Sequence, residues 1–274
     1  MQGSETMIFE SEQKRRYEIQ VHYPDVPAPS TGYPVIYVLD GNAWSHTLYE
    51  AVRLQSRRAE KTGVNPAVIV GIGYPETMDF HPRRVFDFTP PGQKLELPLR
   101  PNGRPWPEAG GAKEFMAFLE HRIKPAIEEK YAVDPEKQTL FGHSLGGLFV
   151  LYAFFTNHQM FRSYMACSPS IWWNNQDIIK AEKVFASSKA KARMKACAPL
   201  FLTVGSLEKD HMVKDARELA ARLTGYGCRT DFIEALGENH MSVVPAVISR
   251  ALRFINGFYE KEDNAISKRK QAAE

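Results

Sequence analysis

Cysteine is scarce. Three occur in 274 residues, Cys167, Cys197 and Cys228, an odd number without the paired spacing of a zinc site. That excludes a disulfide framework as the source of the fold, and predicts reduced thiols and a cytoplasmic protein. Missing too is any apolar run near the roughly 18 residues that a membrane span needs, and the opening stretch MQGSETMIFESEQKRR has no apolar core of an export signal, so no membrane is expected as a partner. Neither sign of charge dominates: 35 Lys and Arg against 32 Asp and Glu leave +3. No basic stripe alternates with aromatics, so nucleic acid is not an expected partner either. The absence of HExxH and of any cysteine–histidine cluster predicts no protein-bound catalytic metal, and no cofactor is expected.

What is present is ordinary globular composition, 43% apolar and 24% charged, in a length suited to one α/β domain over residues 1–274. Thr6 to Glu10 and Arg16 to His22 alternate apolar with polar and predict an antiparallel hairpin. VIYVLDG, AVIVGIG, TLFGHS, SYMACSPS, LFLTVGS and TDFIEAL are short apolar runs, as parallel strands buried on both faces require. Helical spacing fills the gaps between them at 44–58, 112–130, 145–157, 177–187, 210–223 and 243–259, with Pro125 expected to kink the second of these. Alternation of this kind predicts a doubly wound, mostly parallel sheet. The charged tail 261–274 reads as a frayed helix end.

One stretch breaks the rhythm. Residues 73–111 hold eight prolines, with Tyr74, Phe80, Phe86, Phe88 and Trp106, in no clear period. A long irregular segment after a parallel strand emerges at the carboxyl edge of the sheet, where ligands of open α/β folds bind, so the insertion 74–111 is expected near a site.

The candidate chemistry lies in FGHSLGGLFV. Gly142-His143-Ser144-Leu145-Gly146 fits G-x-S-x-G between a strand and a helix, a turn so sharp that the flanking positions leave no room for Cβ and the serine Oγ is pushed outward. The alternative is a glycine that ends a strand and a serine that caps a helix. A serine hydroxyl needs a base, and in this fold acid and histidine follow the serine in that order. Of eight histidines, only His158, His211 and His240 lie well past it. His240 stands between the last strand and the last helix, where a loop returns to the carboxyl edge. Glu208 is the favoured acid in TVGSLEKD, with Asp210 as the alternative because it has a competing place as helix N-cap. The oxyanion donors are expected to be the N–H groups of Leu145 and of Asn42, with Gly41 the alternative to the latter.

With YVLDGNAW, GIGYP, RRVFDFTP, FGHSLGG and SPSIWWN in this order, the chain resembles the esterase-D-like α/β-hydrolases, and among them the trilactone siderophore esterases of the enterobactin and bacillibactin type, from about Thr6 to Tyr259. The resemblance implies the α/β-hydrolase fold, and hydrolysis of the ester bonds of a catecholate trilactone, with ferric iron arriving on the substrate. It also admits a serine–histidine pair without an acid. A large flat anion would want arginines and aromatic walls: Arg83, Arg84, Trp172 and Trp173 are candidate binding residues, although RRVFD also offers one arginine a structural partner in Asp87. Adjacent Trp172 and Trp173 in extended chain would point to opposite faces, one into the core and one to the pocket. Phe154 and Phe155 read as core. A feruloyl, acetyl or S-formylglutathione-type carboxylesterase and a non-catalytic siderophore-binding protein are the competing readings. The chain is expected to be monomeric.

Overall fold

Residues 3–92, 95–97, 99–100, 103–192 and 197–257 are described in a computed structural model of the chain; the expectation for the tail 261–274 lies outside them. Each of the eight apolar or alternating runs forms a strand: β1 (Gly3–Glu10), β2 (Arg16–Tyr23), β3 (Tyr33–Leu39), β4 (Val68–Gly73), β5 (Val133–His143), β6 (Ser163–Cys167), β7 (Leu200–Gly205) and β8 (Thr230–Ala235). They make one sheet in the order β1-β2-β4-β3-β5-β6-β7-β8. β1 and β2 run antiparallel to each other and β2 antiparallel to β4; every pair from β4 to β8 is parallel. Strand burial follows position. β4, β6 and β7 are buried along their whole length, whereas edge strand β1 alternates.

Period two also divides the core. In β3, Val35, Tyr37 and Leu39 face one apolar cluster while Ile36 and Val38 face the other, as side chains alternating across a pleat must. The helices cover both faces: α1 (Gly41–Gln55), α2 (Ala59–Thr62), α3 (Arg84–Phe88), α4 (Ala112–Phe118), α5 (Lys124–Lys130), α6 (Leu145–Thr156), α7 (Trp173–Gln176), α8 (Ile178–Ala192), α9 (Asp210–Gly225) and α10 (Val243–Ile255). Helix α6 is buried on every side from Leu145 to Phe155, so Phe154 and Phe155 lie in the core as their sequence predicts. It packs against α8, while α1 meets α10.

Four local findings differ from expectation. The helix predicted over 112–130 is divided by a π-helical turn at Leu119–Ile123, and Pro125 stands in the first turn of α5. The wider turn makes room for the proline ring and tolerates its missing N–H. The insertion contains a helix, α3, which is too short to show a period. The last helix ends at Ile255, with residues 258 and 259 outside the described set. Finally, two of the three thiols are not reduced: Cys197 and Cys228 form a disulfide with Cα atoms 5.2 Å apart, and Cys167 is free and buried. Cys197 precedes β7 and Cys228 precedes β8, which are neighbours in the sheet; sequence spacing carries no trace of that proximity. The thiol argument for a cytoplasmic protein therefore falls. No helix among the described residues is long and apolar enough to cross a membrane.

Candidate active site

β5 delivers Gly142 and His143 to the carboxyl edge, and the chain turns into α6 through Ser144 at φ 60°, ψ −117°, a region that costs a non-glycine residue on the order of 1–3 kcal/mol. The turn explains the glycine before it: a Cβ at Gly142 would stand 2.2 Å from the Gly146 carbonyl oxygen. The expectation of equal need at the second motif glycine is corrected. A Cβ at Gly146 would meet its nearest atoms, on Asp40 and Leu39, at 3.4 Å, whereas one at Gly147 would come within 2.9 Å of the Cys167 carbonyl oxygen. Gly147 is the more crowded because α6 starts against the loop after β6.

Ser144 is half-buried, its Oγ 3.5 Å from that of Ser170, whose N–H donates to the Ser144 carbonyl at 3.1 Å. Leu145 opens α6 and Asn42 is the second residue of α1, so neither amide has a partner in its own helix. The Asn42 side chain is held by the insertion: its Nδ2 donates to the Tyr74 carbonyl at 2.9 Å and its Oδ1 accepts from Tyr74 N–H at 2.8 Å.

From the loop after β8, His240 places Nδ1 2.6 Å from Glu208 Oε2. The Glu208 side chain is 1% exposed. Burial alone would raise its pKa, but hydrogen bonds from His240, from the Ser168 hydroxyl and from Gly205 N–H outweigh it and hold the carboxyl below its usual range. An ionised carboxylate only accepts, so Nδ1 carries the imidazole proton and Nε2 the lone pair. Asp210 is the first residue of α9 and not its cap, which is Lys209.

The arginines are occupied by the protein. Arg84 makes a bidentate pair with Asp40, both bonds 2.7 Å, and its Nη2 approaches the His143 carbonyl at 3.4 Å. Burial opposes its charge, but the carboxylate outweighs burial and raises its pKa. Asp40 itself has φ 52°. Arg83 lies 3.8 Å from Asp87 and over the rings of Tyr17 and Tyr74, which matches the structural partner that RRVFD offered. Both guanidiniums thus have protein partners. Trp173 is buried and Trp172 partly so, but the chain there is helical, not extended. Trp106 of the insertion packs on both, at centroid distances of 6.1 Å and 4.9 Å.

Sequence reasoning missed Ser168, Ser170 and Asp40 as members of this site. SPS and LDG carried the signal within the quoted motifs, but small polar residues at strand ends have many ordinary uses.

Sheet order and strand-to-helix elbow define a hydrolase of the α/β-hydrolase type. A family profile described as putative esterase matches residues 11–245. The chain is 48% identical to the ferri-bacillibactin esterase BesA of Bacillus subtilis over 259 residues, covering 92% of this chain and 89% of that one. It is 36% identical to a siderophore enterobactin esterase of Emericella nidulans, over 88% and 89% of the two chains. A crystal structure of the BES protein from Bacillus cereus superposes with a TM-score of 0.87 at 48% identity, over 93% of this chain and 96% of that one. The protein belongs to this esterase family.

Proposed function

We propose that Ser144, His240 and Glu208 act as nucleophile, general base and orienting acid, and that the ester they cut belongs to a catecholate trilactone siderophore of the bacillibactin or enterobactin type. The observation that carries the reading is the 2.6 Å bond from His240 to a buried Glu208 carboxylate, at the same sheet edge as a serine held at positive φ. The names of the relatives support the substrate class.

As Oγ of Ser144 bonds to the ester carbonyl carbon, its proton passes to Nε2 of His240, and the imidazolium is stabilised by Glu208 without further proton transfer. The carbonyl electron pair moves onto oxygen, where the N–H groups of Leu145 and Asn42, or Gly41 in place of the latter, receive it. Collapse expels the alcohol, which takes the proton from His240. Water then repeats the sequence on the acyl-enzyme, releasing the acid and restoring Ser144. Trp172, backed by Trp106, supplies an aromatic wall for a catecholate ring; the iron is the substrate's cargo. The protein works as a monomer of 31.1 kDa, which light scattering after size exclusion checks.

Ser144→Ala is expected to lower kcat on a chromogenic short-chain ester by about 10⁶, the precedent for such a nucleophile, in a protein that still folds. Wild-type turnover by that variant would remove the mechanism. Comparison of kcat/KM for ferric bacillibactin, ferric enterobactin and a feruloyl ester tests the substrate, and a tenfold preference for the feruloyl ester would overturn the siderophore reading.

A further inference from the structure

His143, next to the proposed nucleophile, has no part in the steps above, yet it is 1% exposed and tightly held. Its Nε2 lies 2.7 Å from the backbone carbonyl oxygen of His240. A carbonyl oxygen only accepts, so Nε2 carries the ring's proton. Burial first, and the neighbouring His240 next, push its pKa down to about 3, so the ring is neutral and its single donor is committed to that carbonyl. Trp44 meets the ring edge-on at 5.2 Å, and the His240 ring lies at 4.5 Å.

The partner loop needs such a tie. Leu236 is 91% and Met241 50% exposed, so the loop has little apolar anchorage. Its bonds Leu207 N–H to the Glu238 carbonyl, Gly237 N–H to Ser206 Oγ, and His240 to Glu208 all run to the turn after β7. Among the described residues, the His143 bond ties His240 to the end of β5, directly beside Ser144.

We propose that His143 is a positioning residue: its Nε2–H pins the main chain of the His240 loop to the elbow, and so sets the placement of the imidazole against the Ser144 hydroxyl. The proposal rests on the reading of Ser144 and His240 given above. A misplacement of about 1 Å typically costs on the order of 10²-fold in rate, and a loss confined to the reacting geometry appears in kcat and not in KM.

The test uses the full chain and a chromogenic ester, with His143→Phe, which keeps the ring and removes the donor, and His143→Gln, whose amide nitrogen stands near the imidazole Nε2 position. His143→Phe is expected to lower kcat by about 10- to 100-fold with KM within about threefold, and to slow inactivation by an organophosphate in proportion. His143→Gln is expected to recover most of the loss. Thermal melting is followed throughout. If the Phe variant does not fold, His143→Met takes its place in the comparison with Gln. Wild-type kcat in the donorless variant, an effect confined to KM, or a loss that Gln does not relieve would each overturn the proposal. Ser144→Ala in parallel separates the two readings: an inactive Ser144→Ala beside a fully active His143→Phe sinks the positioning role alone, whereas an active Ser144→Ala sinks the chemistry beneath it.

Discussion

At the scale of single residues, the role proposed for Glu208 requires a carboxylate. Glu208→Gln keeps the shape but reverses the hydrogen-bond logic at His240 Nδ1, and a kcat loss on the order of 10⁴ is expected from wrong tautomer and lost charge together; steady-state kinetics at fixed pH checks it. Asp87 makes a different prediction. It accepts from Tyr17 and Tyr74 at 2.9 Å each, yet burial outweighs these bonds and the nearby arginines and raises its pKa from 3.8 to about 6. The folded protein therefore binds a proton more tightly than the unfolded chain, and this contribution to stability is complete below pH 3.8 and lost as pH rises through about 6, on the order of 2–3 kcal/mol in all. Asp87→Asn should flatten that part of the pH–stability curve measured by urea unfolding; an unchanged slope would refute the account. The pairing of His240 with Glu208, at the sheet edge that presents Ser144, was legible because the fold's chain order leaves few positions for each. Arg84 was not: its partner Asp40 is 44 positions away, and charge alone does not say which way a side chain turns.

Among elements, the strands read most clearly, since apolar runs between turn residues have few other uses in a chain of this composition. The short helix α3 and the π turn before Pro125 left no periodic signal, and the disulfide depends on strand adjacency that only the folded sheet supplies. The elbow makes a sharp prediction. Gly142→Ala drives a Cβ into backbone that has nowhere to go and is expected to cost several kcal/mol or prevent folding, whereas Gly146→Ala, with 3.4 Å of clearance, should lower the melting temperature by only a few degrees. Equal effects in calorimetry would show that the turn is held differently. The disulfide closes 31 positions of sequence, for which loop entropy gives about 3–4 kcal/mol; a reductant, or Cys228→Ser, should lower the melting temperature correspondingly.

For the whole molecule, the insertion and the sheet are fastened by buried charge. Arg15 lies over Phe86 and 3.8 Å from Asp87, Arg83 reaches the backbone carbonyl of Arg16, and Arg84 holds Asp40 at the tip of β3. Arg84→Met leaves the Asp40 carboxylate unpaired, at a cost of about 3–5 kcal/mol, and should reduce turnover beyond what stability explains, because Asp40 immediately precedes the Gly41–Asn42 amides; adding Asp40→Asn should recover stability more than rate. The Asp40–Arg84 clasp has a bearing on how such enzymes diversify. A segment whose Arg84 is paired with an aspartate outside it is not a detachable module: removing residues 74–111 takes away one half of an ion pair and strands Asp40, so the aspartate and arginine have to be inherited as a unit.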